Sequence, residues 1–160
     1  MAVTSYTAEE GPRRERSLLD LVIREDGGIR LTCGRGTDAF PRTGFPPSDR
    51  PAMVIIAMLV LGLTHSVAAL AGRLVDEYAA YQGQWRLGIR MDRLRGAVPL
   101  DLLQDPLRRL GSPYSRDEYE RVTSASTEEL VNAPHAVAER LVAPLLRGLD
   151  IAPRYLPYNP

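Results

Sequence analysis

The chain has 160 residues, no net formal charge, 20 basic side chains that are all arginine, and one cysteine. That length suits one domain with a real core. The charge balance removes the simplest case for a nucleic-acid or membrane-surface protein. The missing lysine excludes Schiff-base and Walker-type phosphate chemistry, and the lone Cys33 excludes an internal disulfide.

Residues 1–16, MAVTSYTAEEGPRRER, are polar and broken by Gly11-Pro12; they read as a flexible tail. They contain no apolar signal region, so the expected location is cytoplasmic. A single domain is expected over 17–150. Leu18–Arg24 and Ile29–Cys33 predict a β-hairpin turning at Asp26-Gly27-Gly28, with Leu19, Leu21 and Ile23 on one side of the first strand and Ile29, Leu31 and Cys33 on one side of the second. Cys33 thereby points into the core. Gly34-Arg35-Gly36-Thr37-Asp38 has the glycines of a phosphate-binding turn but no following helix start and no Gly-Lys-Ser/Thr ending, so it reads as a strand exit. Phe40–Asp49, with Pro41, Pro46 and Pro47, reads as a connecting loop.

Pro51–Tyr81 is the longest apolar stretch, without a charge between Arg50 and Arg73. Ile56, Val60, Leu63, Val67, Leu70, Leu74, Tyr78 and Tyr81 recur at helical spacing. Ser48 or Asp49 is the expected cap, Pro51 the first turn and Gly83 the stop, giving a helix roughly 45 Å long. Two environments suit it. Met53–Gly72 has the length of a membrane span, which makes a single-pass anchored protein one alternative. The polar trio Thr64-His65-Ser66, the two glycines and the arginines at both ends favour a protein core. Gly62-x-x-x-Ser66 and Ala68-x-x-x-Gly72 are small-residue spacings that let another backbone approach, so these four are the candidate interface residues.

Trp85, Leu87, Ile89 and Met91 alternate with polar neighbours and predict a half-buried strand that joins the hairpin in a small antiparallel or mixed sheet on the long helix. Arg86, Arg90, Arg93 and Arg95 form the basic cluster of the chain. Their functional reading is an anion or nucleic-acid contact; the simpler one is a solvated sheet face. Ala97–Ser115 reads as an ordered loop with a short helical turn, and Tyr114, Asp117, Glu118, Tyr119 and Glu120 as an acidic-aromatic surface patch. Ser126 or Thr127 caps a helix with Glu128-Glu129 in its first turn. A second helix starts at Asn132-Ala133-Pro134 and carries Val137, Leu141, Leu145 and Leu149 on one face, with Pro144 expected to kink or break it. Residues 151–160, IAPRYLPYNP, form a proline-rich arm lying on the body.

No catalytic constellation emerges. His65 reads as a core histidine, and His135 sits at a helix start where protonation is disfavoured. A Cys33–His65 dyad has nothing in the sequence to orient it. One cysteine and two separated histidines do not make a metal cluster. The expectation is no cofactor and no metal.

Gly83-Gln84-Trp85-Arg86-Leu87-Gly88-Ile89 and Leu94-Arg95-Gly96, with Tyr119, Thr123, Glu129-Leu130 and the Val137–Leu149 helix, resemble the C-terminal region of high-GC bacterial proteins that carry a Schlafen-type, Alba-like DNA-binding domain upstream. Cys33 through Asp38 resemble the same group, so the likeness covers residues 18–149. Its motifs are structural and imply no catalytic residue. The upstream domain has no counterpart in these residues, so the DNA-binding function tied to it is not carried over. The resemblance implies a companion or dimerisation module.

The sequence therefore predicts an α+β fold and a non-catalytic interaction module of a bacterial protein. Its partner would be a second copy or another protein, with nucleic-acid binding through the arginine cluster as the alternative.

Overall fold

The computed structural model describes residues 19–42, 48–79, 82–103 and 113–160. The fold is α+β: small sheets surround a long central helix and a C-terminal helix. The proposed tail, residues 1–16, lies outside the described residues, as does the expected helix end at Tyr81.

The first ribbon is β1 (Leu19–Ile23) and β2 (Ile29–Cys33), antiparallel, with Leu19 opposite Cys33, Leu21 opposite Leu31 and Ile23 opposite Ile29. This is the expected hairpin, and the structure supplies its register. Its turn needs glycine at Gly27, where φ is +82°, and the Asp26 carboxylate accepts from the Gly28 N–H at 2.9 Å.

The second sheet changes the reading of the apolar run. β3 (Thr37–Arg42) pairs antiparallel with β4 (Ser48–Ile55), and β6 (Val98–Pro99) joins β4 in parallel. Pro51–Ile55 is thus strand, not the first turns of a helix, and Phe40–Asp49 is largely strand rather than loop, apart from 43–47 outside the described residues. Ala52, Val54 and Ile55 are buried. A short continuous apolar run has no period that separates strand from helix. Here β-branched Val54 and Ile55 and the flanking β3 and β6 decide for the strand.

The helix α1 spans Ala57–Leu74 and continues as a wider π-turn over Val75–Ala79. Its N-cap is Ile56, without a side-chain cap, so Ser48 and Asp49 do not cap it. The chain is anchored there instead by the Ile56 N–H, which donates to the Gly36 carbonyl at 3.1 Å.

The third sheet pairs β5 (Gln84–Met91) antiparallel with β7 (Tyr119–Ser126): Trp85 opposite Ala125, Leu87 opposite Thr123, Ile89 opposite Arg121, Met91 opposite Tyr119. The expected alternating strand is present, but its ladder partner is β7, not the hairpin. β7 hides in the sequence because Arg121 and Thr123 occupy the positions that face the apolar side of β5, which blurs the period-two signal. A helical turn, α2 (Leu100–Leu103), follows β6.

α3 (Thr127–Asn132) starts where expected, with the Ser126 hydroxyl accepting from the Glu129 N–H at 3.1 Å. α4 (Pro134–Gly148) has Pro134 in its first turn and runs unbroken through Pro144. Pro144 supplies no N–H to the Arg140 carbonyl, yet burial of Leu141, Val142, Leu145 and Leu146 on either side holds the helix together. The C-terminal arm begins with the short α5 (Ala152–Tyr155) and lies on the body. There Tyr155 donates its hydroxyl to Asp101, and the Tyr158 N–H donates to Glu139 at 2.9 Å.

The main core joins α1, α4, the β5–β7 ribbon and the arm. Ile55, Leu61, Leu94, Leu141, Leu145, Leu146, Leu149 and Ile151 are its buried centre. A second cluster sits under α3, with Ala68, Ala71, Ala125, Leu130 and Val137.

Candidate functional site: the three faces of the central helix

An 18-residue helix has room for three different environments around its axis, and α1 uses all three. One face carries Leu61, Ala68, Gly72 and Val75, buried in the domain. Glycine is required at 72 because a Cβ there would sit 2.4 Å from the Leu130 carbonyl oxygen of α3. A second face, Leu59, Leu63, Val67 and Ala71 at i, i+4 spacing, floors a cavity of about 390 Å³. The third face is open: Met58 is 60% exposed, Ser66 and Arg73 are exposed, and nothing lies within 4 Å of where a Gly62 Cβ would be.

The four candidate interface residues therefore divide. Ala68 and Gly72 are buried inside the domain against α3 and its neighbours. Gly62 and Ser66 belong to the open face, where the Ser66 hydroxyl donates to the Gly62 carbonyl at 2.8 Å. By length and composition Ala57–Tyr78 is also long and apolar enough to cross a membrane.

The arginine cluster is dispersed in role. Arg86 and Arg90 lie on the outer face of β5, while Arg93 and Arg95 flank the buried Leu94 in the following loop. Arg93 holds φ +62°. Arg90 is ion-paired to Asp92 at 3.1 Å and Glu118 at 3.3 Å. The Asp92 hydrogen bond, and then the charges of Asp92 and Glu118, push its pKa further up. Its charge is thus offset locally, which weakens a four-arginine anion surface.

A second basic surface went unseen in the sequence. A cleft of about 710 Å³ runs along α4, walled by Arg121 and Thr123 of β7 and by Pro157 and Tyr158 of the arm. Arg140 and Arg147 also line it. Arg140 is held by Glu129 at 2.8 Å, and the cleft's carboxylate, Glu139, accepts from Tyr158 N–H. Strand pairing opposite Ile89 places Arg121 here, a juxtaposition that spacing along the chain does not reveal.

Cys33 is half-buried and lines the cavity beside α1, with the Arg35 N–H donating to its sulfur at 3.4 Å. His65 lies elsewhere on the helix and meets the Tyr158 ring edge-on, centroids 5.7 Å apart. No hydrogen bond joins the two among the described residues, and those residues hold no group of three or more metal-ligating side chains.

The 390 Å³ cavity is a gap between strands. On one side it is lined by Ile29, Arg30, Leu31 and Cys33 of β2, on the other by every residue of β5 from Trp85 to Met91. Successive strand residues point to opposite faces, so one cavity touches them all only along the strand's edge. β1 occupies the other edge of β2, and β7 the other edge of β5. At one end the turn after β2 comes close to β5, where a Cβ on Gly36 would be 3.5 Å from Met91 Cε. No family model, curated protein or solved structure matches this chain, so the reading of these surfaces rests on their geometry.

Proposed function

We propose that this chain is a non-catalytic, cytoplasmic interaction module that self-associates through the open face of α1. The observation that carries this reading is the open patch on that face: Met58 is 60% exposed, Ser66 is exposed, and nothing lies within 4 Å of where a Gly62 Cβ would be. Removing apolar surface from water stabilises association by about 25 cal/mol per Å². Met58 supplies apolar area, and Gly62 with Ser66 allow a second backbone to come close. A second copy is the simplest occupant, since a symmetric pair covers the same face on both chains at once.

Light scattering of the pure protein at low and high salt, with and without duplex DNA, tests it. The expected result is a dimer that persists in high salt and is lost on Met58→Glu. A monodisperse monomer at micromolar concentration would refute self-association. Nucleic-acid binding through Arg86, Arg93 and Arg95 would instead give a DNA complex whose affinity falls steeply with salt, because phosphate contacts release counterions. A protein that purifies only in detergent would point to the membrane-anchored reading.

A further inference from the structure

We propose that the gap between β2 and β5 receives an extended peptide strand from a partner protein, one that alternates apolar and acidic residues. The inserted strand would join the two separate ribbons into one continuous sheet over α1.

Two observations specify a strand rather than a compact small molecule. First, both long walls of the gap are strand edges. No backbone hydrogen bond joins β2 to β5 among the described residues, and each has its other edge occupied. An edge strand presents a row of donors and acceptors that a further strand satisfies, which is the basis of recognition by strand addition. Second, the floor is a helix face that repeats every four residues, Leu59, Leu63 and Val67, and each of these is only half-buried. A volume of about 390 Å³ lies in the range of true ligand cavities, roughly 300–1,000 Å³.

The faces of the flanking strands give the chemistry of the occupant. Toward α1 they present Ile29, Leu31 and Cys33 on β2, and Leu87, Ile89 and Met91 on β5, all half-buried. Away from α1 they present Arg30 on β2 and Arg86 on β5, both exposed and neither ion-paired among the described residues. Arg90 shares that outer face but is already neutralised by Asp92 and Glu118. A strand seated between them sets its inward side chains on an apolar floor and its outward ones between cations. Apolar-in, acidic-out is the alternation that satisfies both.

This inference uses a different face of α1 from the self-association surface, and peptide binding is read separately from oligomeric mass, so either can fail alone. The test is fluorescence anisotropy of a labelled short peptide of alternating valine and glutamate, titrated with the full chain. The expected result is saturable binding. The same peptide N-methylated at alternate residues should bind about tenfold or more weakly, since it keeps every side chain and loses main-chain donors. The exposed double variant Arg30→Glu/Arg86→Glu should prefer a valine–lysine peptide. Amide exchange on the free edge of β5 should slow when the valine–glutamate peptide is bound. Equal binding of the N-methylated peptide, no binding at all, or β5 edge amides already protected in the free protein by direct pairing with β2 would each overturn the proposal.

Discussion

Gly72 of α1 and Leu130 of α3 touch backbone to backbone: a Cβ at position 72 would lie 2.4 Å from the Leu130 carbonyl oxygen and 2.7 Å from its carbon. Neither atom belongs to a flexible side chain, so α3 itself would have to move. Gly72→Ala should therefore destabilise the fold by about 1–3 kcal/mol despite alanine's better helix propensity. Gly62, on the same helix with open space around it, is the control. Gly62→Ala should raise monomer stability by up to about 1 kcal/mol. Urea unfolding midpoints of the two variants should move in opposite directions.

The alkaline limb of stability belongs to tyrosines. The chain has no lysine to titrate there. Burial is the main cause that raises the Tyr119 pKa, and burial followed by the Asp101 hydrogen bond raises that of Tyr155. Both groups stay protonated in the fold when the unfolded chain begins to ionise near pH 10. Their contribution is complete below about pH 10 and is lost as pH rises through the folded values. Urea midpoints should decline across that window, and Tyr119→Phe or Tyr155→Phe should flatten the decline.

The Ser126 cap is the best-defined local interaction in the C-terminal half, because its hydroxyl accepts from the Glu129 N–H at the end of β7. Ser126→Ala should cost about 0.5–2 kcal/mol and Ser126→Asp should restore most of it. A thermal melt with no difference between Ser126→Ala and the parent would show that the strand-to-helix corner is held by packing alone.

Leu61 is fully buried between α1 and the rest of the main core. Leu61→Ala should cost about 2–5 kcal/mol, through lost burial and the cavity it leaves. Met58→Ala, three positions earlier and 60% exposed, should leave monomer stability within about 0.5 kcal/mol. At concentrations where the proposed dimer forms, Met58→Ala should lower stability in a concentration-dependent way, the signature of an interface.

Several features were legible in the amino-acid sequence because neighbours along the chain determine them. The β1–β2 hairpin follows from Asp26-Gly27-Gly28 and flanking alternation, the α3 start from Ser126-Thr127 before two glutamates, and α4 from its leucines at helical spacing. The inward stripe Trp85, Leu87, Ile89 and Met91 was equally plain. Other features depend on which segments meet. Residues 51–55 are strand because β3 and β6 flank them, a choice that local apolar content leaves open. β7 pairs with β5 although Arg121 and Thr123 interrupt its alternation, and that pairing alone carries Arg121 to the cleft beside Arg140 and Arg147. The same limit applies to the small residues of α1: spacing put Gly62, Ser66, Ala68 and Gly72 in one class, whereas the docking of α3 buries the last two and leaves the first two outside. Local propensity and periodicity act over a few residues, while pairing and burial are set by contacts between distant segments, so the helix was readable and its three faces were not.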